Sequence, residues 1–484
     1  MFTLLPVFFP VLAGLYMLKA QIKDRKSREK YVISTLAVTL VLTLITNFGF
    51  AGTQLTFAKF AGGIALSFDI DSIAVLFSTI FASIWLLVGI FSLEYMKHEG
   101  EENRFFAYFI ASLGGLTGVA YSDNLVTLYL FFEAMSLLSY VLVVHSRTNQ
   151  SLLAGRKYIY YSLFGASLGL IGIFYLYTVA NKPSFVAGGV LNTAVASNPG
   201  VIICTVLAII GIGCKGGMFP LHAWLPTAHP QAPAPASSVL SGLITKAGVI
   251  AIIRIVYFTV GADVLRGSVA QYIILSLSIV TIFMGSMLAY KEKVLKKRLA
   301  YSTVSQVSYV IFGLMLLNEA GVMGALLQVV FHALAKNVLF LCAGAFIYKT
   351  HKTLVSDITG MGKSMPKLFA FFSVAGLSLV GVPLTAGFIS KWYLAQGAIN
   401  TEMGLIGFVG ICTIMVSALL TGGYLVSVTA KAFFTLRSEE VSESFEPNGY
   451  MLIPIGVLTA MIVVFGVFPQ PVISFVSQIA QSIM

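Results

Sequence analysis

The chain has 484 residues, of which 58% are hydrophobic and 10% charged, and its mean hydropathy is +0.91. This composition excludes an ordinary water-soluble protein with a single core and is typical of a polytopic membrane protein. The formal net charge of +11 does not indicate a nucleic-acid partner, because the basic residues cluster in short loops between apolar segments, where they set membrane orientation.

Apolar segments long enough to cross a bilayer follow one another along almost the whole chain. We count fourteen, at residues 2–20, 31–50, 71–95, 105–121, 124–145, 157–180, 200–220, 237–260, 270–290, 300–317, 321–348, 367–398, 403–430 and 449–468. Because lipid offers no hydrogen bonds to the backbone, these segments are predicted to be helices. The fold class is therefore an all-α polytopic membrane protein of about fourteen spans.

Both ends of the chain need a separate interpretation. The first apolar segment has its basic residues after it and lacks a small-residue cleavage site, so we expect a retained span and not a signal peptide. The last residues, PQPVISFVSQIAQSIM, are too short and polar to span again. We expect them to form a tail at the outer membrane interface.

Lysine and arginine are unevenly distributed between the two sets of loops. Residues 19–30 contain six of them and residues 291–298 contain five, and such loops stay on the cytoplasmic side. With the N-terminus outside, the inner loops hold 22 of the 30 basic residues, and the outer loops hold only Lys59, Lys182 and Arg266. We predict a multi-pass protein of the cell inner (cytoplasmic) membrane with its N-terminus outside.

The order of spans predicts an internal repeat. Spans four to eight and spans nine to thirteen start in opposite senses, so two five-helix units related by an inverted repeat are expected. The predicted domains are residues 1–104, with spans one to three, 105–260 and 261–432, with the two units, and 433–484, with the last helix and the tail.

Spans seven and twelve are interrupted at corresponding places of the two units. Glycines and Pro220 break the first, and GVPLTAG, residues 381–387, breaks the second. A lysine lies near each interruption, Lys215 in one span and Lys391 in the other. Broken helices at matched positions indicate an ion site in transporter folds.

Few ionisable side chains lie deep inside the predicted spans. Glu133 is the one deep carboxylate, whereas Asp71 and Glu94 lie near span ends and can reach water. The bases within spans are Lys215, Lys246, Arg254, Lys336 and Lys391. A charge at the membrane centre costs at least about 2.5 to 3.5 kcal/mol, so we expect these groups to line a polar interior. For Arg254, in the outer half of its span, we favour snorkelling to the interface.

Glu133 and Lys215 allow two interpretations. One is a static ion pair that joins two helices, although a buried ion pair is a weak source of stability. The other is a switchable pair, in which the lysine stays charged while paired and gives up its proton when the carboxylate moves away or is neutralised, because burial disfavours an unpaired ammonium. We favour the switch.

His332 and Lys336 lie four residues apart and therefore share one helix face. A hydrogen-bonded core histidine is the simpler interpretation of His332, but the neighbouring lysine favours a proton relay, since histidine takes up and releases protons near neutral pH. For Lys336 and Lys391, pairing with backbone groups at broken turns is the alternative.

His222 and His229 belong to the proline-rich stretch PLHAWLPTAHPQAPAP. A structural hydrogen bond and a role in proton uptake remain equally open for both. Neither has further ligands at metal spacing, and the four cysteines lie inside spans without a CxxC pattern, so no metal site is expected. We also find no flavin, quinone or iron–sulfur signature and no nucleophile with a base, and therefore predict no cofactor and no catalytic centre in this chain.

These motifs together resemble the antiporter-like membrane subunits shared by respiratory complex I, Mrp-type sodium/proton antiporters and membrane-bound hydrogenases. The matching stretches are RFFAYF, SDNLVTLYLFFEAMSLLSYVLV, GCKGGMFPLHAWLPTAHPQAPAPASSVLSGLITKAGV, KKRLAYSTVSQVSYV, FHALAKNVLFLCAGA and GVPLTAGFISKWYL. They occur in the family's order over roughly residues 65–400. Within this family, the sequence most resembles the D-type subunit of Mrp antiporters and its relatives in hydrogenase-type complexes. The sequence departs from the family at Phe132, where a tryptophan is frequent, and at Thr227, where an acidic residue is frequent.

The resemblance implies a proton path and a set of partners. In the implied order, Glu133 pairs with Lys215, Lys246 links the two halves, and His332 with Lys336 leads to Lys391. The implied partners are other membrane subunits of a hetero-oligomeric complex in the lipid bilayer, with protons and sodium ions as cargo and a peripheral redox arm or a sodium gradient as the driving force. Two alternatives remain: an energy-coupling subunit of inorganic-carbon uptake, and a passive anchor of a redox arm.

Overall fold

A computed structural model of the chain describes residues 2–60, 64–181, 184–195, 198–435 and 445–484. Lys182, one of the basic residues assigned to outer loops, lies outside the described residues. Most of the described chain is helical. The helices are α1 (Leu5–Ala20), α2 (Arg25–Gly49), α3 (Ser72–Tyr95), α4 (Glu102–Tyr121), α5 (Leu125–Val143), α6 (Asn149–Ala180), α7 (Pro199–Gly213), α8 (Leu225–Gln231), α9 (Ala234–Val260), α10 (Val269–Lys291), α11 (Leu295–Met315), α12 (Glu319–Thr350), α13 (Pro366–Val380), α14 (Ala386–Ile399), α15 (Leu405–Phe434), α16 (Gly449–Val467) and α17 (Gln470–Ile483).

Within the described ranges, eleven helices are long and apolar enough to cross a membrane. A helix also lies at each of the other predicted positions. These are α4 and α11, which are rich in glycine and hydroxyl residues, and the pair α13 and α14, which has 15 and 14 residues on the two sides of its interruption. The chain is therefore a predominantly helical, polytopic membrane protein.

The connections between helices gather at two opposite ends of the bundle. At one end, Leu295 N donates to Thr353 O, and Gly360 N donates to Lys431 O. An ion pair between Arg28 and Glu102, 2.7 Å long, joins the starts of α2 and α4 at this end. We call it the basic face and define it by the loops at residues 21–24, 96–101, 144–148, 292–294 and 351–360.

The opposite face is covered by a short antiparallel hairpin. Strand β1 (Gln54–Lys59) pairs with β2 (Ala65–Asp69), with Gln54 opposite Asp69. Asp123 N donates to Ser67 O, which fixes the hairpin to the turn between α4 and α5.

Two helix interruptions lie at the predicted places. Helix α7 gives way to a tight turn, Cys214–Gly216, followed by Gly217 with φ of 78°. Between α13 and α14, Gly381 has φ of 92°, and a Cβ there would approach the Lys391 side chain to 2.9 Å. Both glycines are required by positive φ, and the second also by the lysine packed against it. Helix α9 contains two π-helical stretches, Leu240–Ile244 and Arg254–Val260, which the sequence pattern did not indicate.

The C-terminal residues form a helix with one apolar face. Val476, Ile479 and Ile483 of α17 are buried. The Gln481 amide also donates to the Glu319 carboxylate, at 3.0 Å, which ties the tail to the start of α12. The predicted position of this tail at the outer interface stays a prediction.

Candidate functional site

A row of buried bases runs through the middle of the bundle on α9, α12, α14 and the turn after α7. It consists of Lys215, Lys246, His332, Lys336 and Lys391, none of which is more than 9% exposed. Bases buried in this way are stable only where neighbouring groups replace water. The groups that replace it differ along the row.

Lys215 is held by neutral hydroxyl groups. Its Nζ donates to Tyr158 OH at 2.6 Å and to Ser136 Oγ at 2.8 Å, and it lies 4.6 Å from the centre of the Tyr158 ring. The turn that carries it is fixed by Trp224 Nε1, which donates to Cys214 O at 2.8 Å. The break in the helix thus places Lys215 among hydroxyl groups, which accept its hydrogen bonds without neutralising its charge.

The expected ion pair between Glu133 and Lys215 is not formed in this structure. No carboxylate among the described residues lies within 4 Å of Lys215 Nζ. Glu133 Oε1 is shielded from solvent and has no hydrogen-bond partner. The reason is its position on α5, since Leu130 and Leu137, which share its helix face, are 49% and 54% exposed. Glu133 therefore lies at the outer edge of the bundle, and Ser136 reaches the lysine in its place.

Lys246 and His332 contact each other directly across α9 and α12. Lys246 Nζ lies 2.5 Å from His332 Nδ1 and also donates to Ser241 O at 3.3 Å. Ser241 belongs to the first π-helical stretch of α9. His332 Nε2 is buried without a partner. At this separation one nitrogen donates and the other accepts, so the two bases share a hydrogen.

The last two lysines of the row bond to backbone carbonyls. Lys336 Nζ donates to Leu299 O of α11 at 3.0 Å. Lys391 Nζ donates to Leu379 O and, at 2.7 Å, to Val380 O, the last carbonyls of α13. The negative end of that half-helix faces the ammonium, which is the arrangement expected of a cation at a helix C-terminus.

Two glutamines and a serine form a hydrogen-bonded cluster, two members of which lie close to His332 and Lys391 in the chain. Gln328, one turn before His332, donates to Gln306 Oε1 at 2.8 Å, and Ser390 donates to Gln328 Oε1 at 2.6 Å. Sequence reasoning missed them because it followed charged residues. The available signal was the spacing of Gln328 and His332, which places both on one face of α12.

Arg254 does not snorkel, and the sequence-based prediction for it was wrong. It is 1% exposed and binds Asp71 through two hydrogen bonds of 2.5 and 2.9 Å. The rings of Phe258 and Phe185 lie 4.5 and 5.2 Å from the guanidinium carbon. The carboxylate of Asp71 caps the start of α3 and also forms the ion pair with Arg254.

This ion pair predicts a stability effect. Asp71→Asn removes the carboxylate that is hydrogen-bonded to the buried Arg254 guanidinium, so we expect the free energy of unfolding to fall by about 3 kcal/mol. Thermal unfolding of the detergent-solubilised protein would measure it. In the control Asp263→Asn, which removes an exposed partner of Arg266, we expect almost no change. Equal melting temperatures for Asp71→Asn and the wild type would contradict a stabilising role of the pair.

His222 and His229 lie near the basic face but in different surroundings. His229, on α8, is fully buried, its ring stacks on Phe340 at 4.9 Å, and neither ring nitrogen has a hydrogen-bond partner. Burial and the nearby charges of Lys296 and Lys336 hold the pKa of His229 well below its usual range. His222 is half-buried, and burial lowers its pKa as well.

A cavity of about 660 Å³ opens beside α8 at the basic face. Glu99, Thr227, Gln231 and Lys296 are among its lining residues. Lys296 donates to Pro230 O and Ala232 O, on the two sides of Gln231. The cavity therefore ends at the segment that carries His229.

Comparison with known proteins gives the chain a family. A family profile described as NADH:quinone oxidoreductase/Mrp antiporter, TM, matches residues 122–417, and one described as NADH-Ubiquinone oxidoreductase (complex I), chain 5 N-terminus, matches residues 60–106. The N-type subunit of the NADH-quinone oxidoreductase of Desulforudis audaxviator is 34% identical over 418 residues, which are 82% of each chain. The D-type subunit of the Na(+)/H(+) antiporter of Alkalihalophilus pseudofirmus is 27% identical and aligns with 99% of this chain and 97% of its own.

Solved structures share the fold at low sequence identity. A chain of an archaeal membrane-bound sulfane sulfur reductase superposes with a TM-score of 0.87 at 22% identity, covering 99% of this chain and 97% of its own. A chain of the Mrp complex from Dietzia sp. gives 0.85 at 20% identity, with the same coverage. The chain therefore belongs to the family of antiporter-like membrane subunits found in NADH:quinone oxidoreductases and Mrp antiporters.

Proposed function

We propose that this chain is the proton-translocating subunit of a multisubunit membrane complex, either an Mrp-type cation/proton antiporter or a related respiratory or hydrogenase complex. The observation that carries the proposal is the row of buried bases, which bond to one another or to neutral groups and not to carboxylates. Ammonium groups held in this way can lose a proton without breaking an ion pair.

The row provides successive proton-holding positions. At the first, the Ser136 and Tyr158 hydroxyls hold Lys215 until Glu133, which lacks a partner, approaches and stabilises the ammonium. When Glu133 withdraws or is neutralised, the lysine gives up its proton. The Glu133 carboxylate acts as the switch and Lys215 as the carrier.

The middle of the row transfers the proton between two bases already in contact. A proton on Lys246 moves to His332 Nδ1 along a contact of 2.5 Å, and the histidine then releases the proton from its unpartnered Nε2. Lys336, one turn further along α12, is the next acceptor on the same face. Gln328 and Ser390 continue the polar line to Lys391.

Proton uptake from the basic face is proposed through the cavity beside α8. The unpartnered nitrogens of His229 need hydrogen bonds from water, since a buried imidazole without partners is costly. Water reaching His229 from the cavity would bring protons close to Lys336. His222, half-buried near the same segment, is the second uptake candidate.

The proposed topology has fourteen spans with the N-terminus outside and the basic face on the cytoplasmic side of the inner membrane. The helices at all predicted positions and the concentration of lysine and arginine at one face support this. We further propose that residues 105–260 and 261–432 form two inverted five-helix units between the N-terminal residues 1–104 and the C-terminal residues 433–484. The interruptions after Gly213 and Val380 support the repeat.

The driving force is assigned to partner subunits. No redox cofactor is proposed for this chain, so a peripheral redox arm or a sodium gradient handled by neighbouring membrane subunits supplies the energy. The relatives belong to NADH-quinone oxidoreductases and Na(+)/H(+) antiporters, which supports either source.

Lys336→Met tests the function in the assembled complex. We expect proton translocation into sealed vesicles to fall by about 10²-fold or more, because the variant removes a proton-holding position from the row. The matched control is Lys349→Met, at the basic-face end of the same helix, for which we expect the wild-type rate. Mass spectrometry of the co-purified subunits would identify the driving module. A wild-type rate for Lys336→Met, with all subunits present, would favour a passive anchor.

A further inference from the structure

Six fully buried hydroxyl side chains form a column between α10, α11 and α15. They are Ser286, Ser302, Ser305, Ser417, Thr421 and Tyr424. None belongs to the row of bases described above. The column lies beside the row and runs toward the basic face.

The part of the column farther from the basic face, called the upper part, is a cluster of three serines from three helices. Ser286 Oγ lies 2.5 Å from Ser417 Oγ and 2.8 Å from Ser305 Oγ, and the last two are 3.2 Å apart. Each hydroxyl in such a cluster can donate or accept, so the direction of its hydrogen bonds can reverse.

The lower part continues along α15 and crosses to α11. Thr421 Oγ1 donates to Ser417 O at 2.7 Å and lies 3.2 Å from Tyr424 OH. Tyr424 OH donates to Ser302 Oγ at 2.7 Å. Ser417 and Thr421 lie one helical turn apart, and their hydroxyl groups are not bonded to each other. This is the one gap in the hydroxyl contacts of the column.

The two ends of the column are chemically different. At the end near Lys391, the Tyr309 hydroxyl donates to Ile414 O at 3.2 Å and also interacts with the Ser417 hydroxyl. The centre of the Tyr309 ring lies 5.8 Å from Lys391 Nζ. At the lower end, Ser302 lies one turn from Arg298, whose guanidinium donates to Tyr424 O at 3.0 Å. Arg298 is in the first turn of α11, directly after the loop at residues 292–294 of the basic face.

Helix packing alone does not explain this arrangement. Other buried hydroxyls of this chain, such as those of Thr43 and Thr459, bond to a carbonyl of their own helix one turn earlier and need no partner elsewhere. In the column, by contrast, the three serines of the upper part bond to one another from three helices, and Tyr424 of α15 bonds to Ser302 of α11. Thr421 connects the two groups within α15. A chain of this kind passes a proton when each oxygen accepts one hydrogen and donates its own to the next.

We infer that the hydroxyl column is a route by which Lys391 exchanges protons with the basic face, separate from the row that leads from Lys215 to Lys391. The inference rests on the proposed role of Lys391 as a proton carrier. One proton enters at one end and one leaves at the other, so charge and atoms balance without a further reactant.

The test compares variants that remove or keep a hydroxyl in the assembled complex. Thr421→Val and Tyr424→Phe remove one oxygen each at nearly constant shape, and Thr421→Ser keeps the oxygen. We expect proton translocation to fall about tenfold in the first two, less than the roughly 10²-fold or larger loss on removing an acid–base group, and to stay at the wild-type rate in Thr421→Ser. Thr459→Val is the matched control outside the column and should translocate normally.

Lys391→Met, measured in parallel, separates the column from the proposed function. Wild-type rates for Thr421→Val and Tyr424→Phe, together with loss of translocation in Lys391→Met, would overturn the column and leave the row intact. A wild-type rate for Lys391→Met would overturn the role of Lys391 and the column with it. If Thr421→Val fails to assemble, Tyr424→Phe decides the matter alone.

Discussion

Lys246→Met is expected to lower proton translocation by about 10²-fold or more, the effect of deleting a positioned acid–base group. Lys246 and His332 share a hydrogen across 2.5 Å, and both are almost fully buried. Without the lysine amine, His332 Nδ1 loses its donor and the row is interrupted between Lys215 and Lys336. Proton uptake by sealed vesicles that contain the assembled complex would measure the loss.

The double variant distinguishes a shared step from two independent ones. If Lys246 and His332 act as one unit, Lys246→Met and His332→Leu together are no slower than either alone. Multiplied losses would mean that the two bases serve separate steps. The control Ser241→Ala keeps the carbonyl that accepts from Lys246 and removes only a hydroxyl, so we expect a rate close to that of the wild type.

The helices and their interruptions were predictable because their causes are local. Runs of apolar residues require helices in lipid, and glycines such as Gly217 and Gly381 provide the positive φ at which a helix stops. The same holds for the position of His332 and Lys336 on one face of α12. The resemblance to the family implied the order of the bases along the proton path, but it did not give the contacts between them.

Contacts between distant segments were not predictable from the sequence. Lys246 and His332 are 86 residues apart, and only the packing of α9 against α12 brings them together. Arg254 was assigned to the membrane interface because its position in the helix was evident from the sequence. The sequence did not reveal its partner Asp71, 183 residues earlier. For Glu133, the pattern showed a deep position along the membrane normal but not its place at the edge of the bundle.

Uncharged polar groups were the main omission. Gln328 and Ser390 bond to each other near His332 and Lys391, and Ser136 and Tyr158 hold the first lysine of the row. Serine, tyrosine and glutamine are tolerated in membrane helices for packing alone, so their presence in a sequence carries little information. Their role becomes visible only when their oxygens are seen to bond to one another or to a buried base.

Lys215→Met and Glu133→Gln are both expected to abolish translocation by this chain, with losses of about 10²-fold or more. The structure shows the pair apart, with the lysine on Ser136 and Tyr158 and the Glu133 oxygen without a partner. A switch requires both this state and a paired one. Lys157→Met, a half-buried lysine one residue before Tyr158, is the control and should retain the wild-type rate.

Assembly and transport respond differently under the two interpretations of this pair. In a static pair, Glu133→Gln would weaken the association of α5 with the turn after α7, so the yield of assembled complex would fall together with transport. In a switch, the yield of assembled complex stays normal, because the structure is stable without a bond between Glu133 and Lys215. Only transport is then lost. Tyr158→Phe adds a second criterion, since it removes the shortest hydrogen bond to Lys215 in the unpaired state alone. It should therefore change the translocation rate without lowering the yield of assembled complex, and a wild-type rate for Tyr158→Phe would contradict a switch at this position.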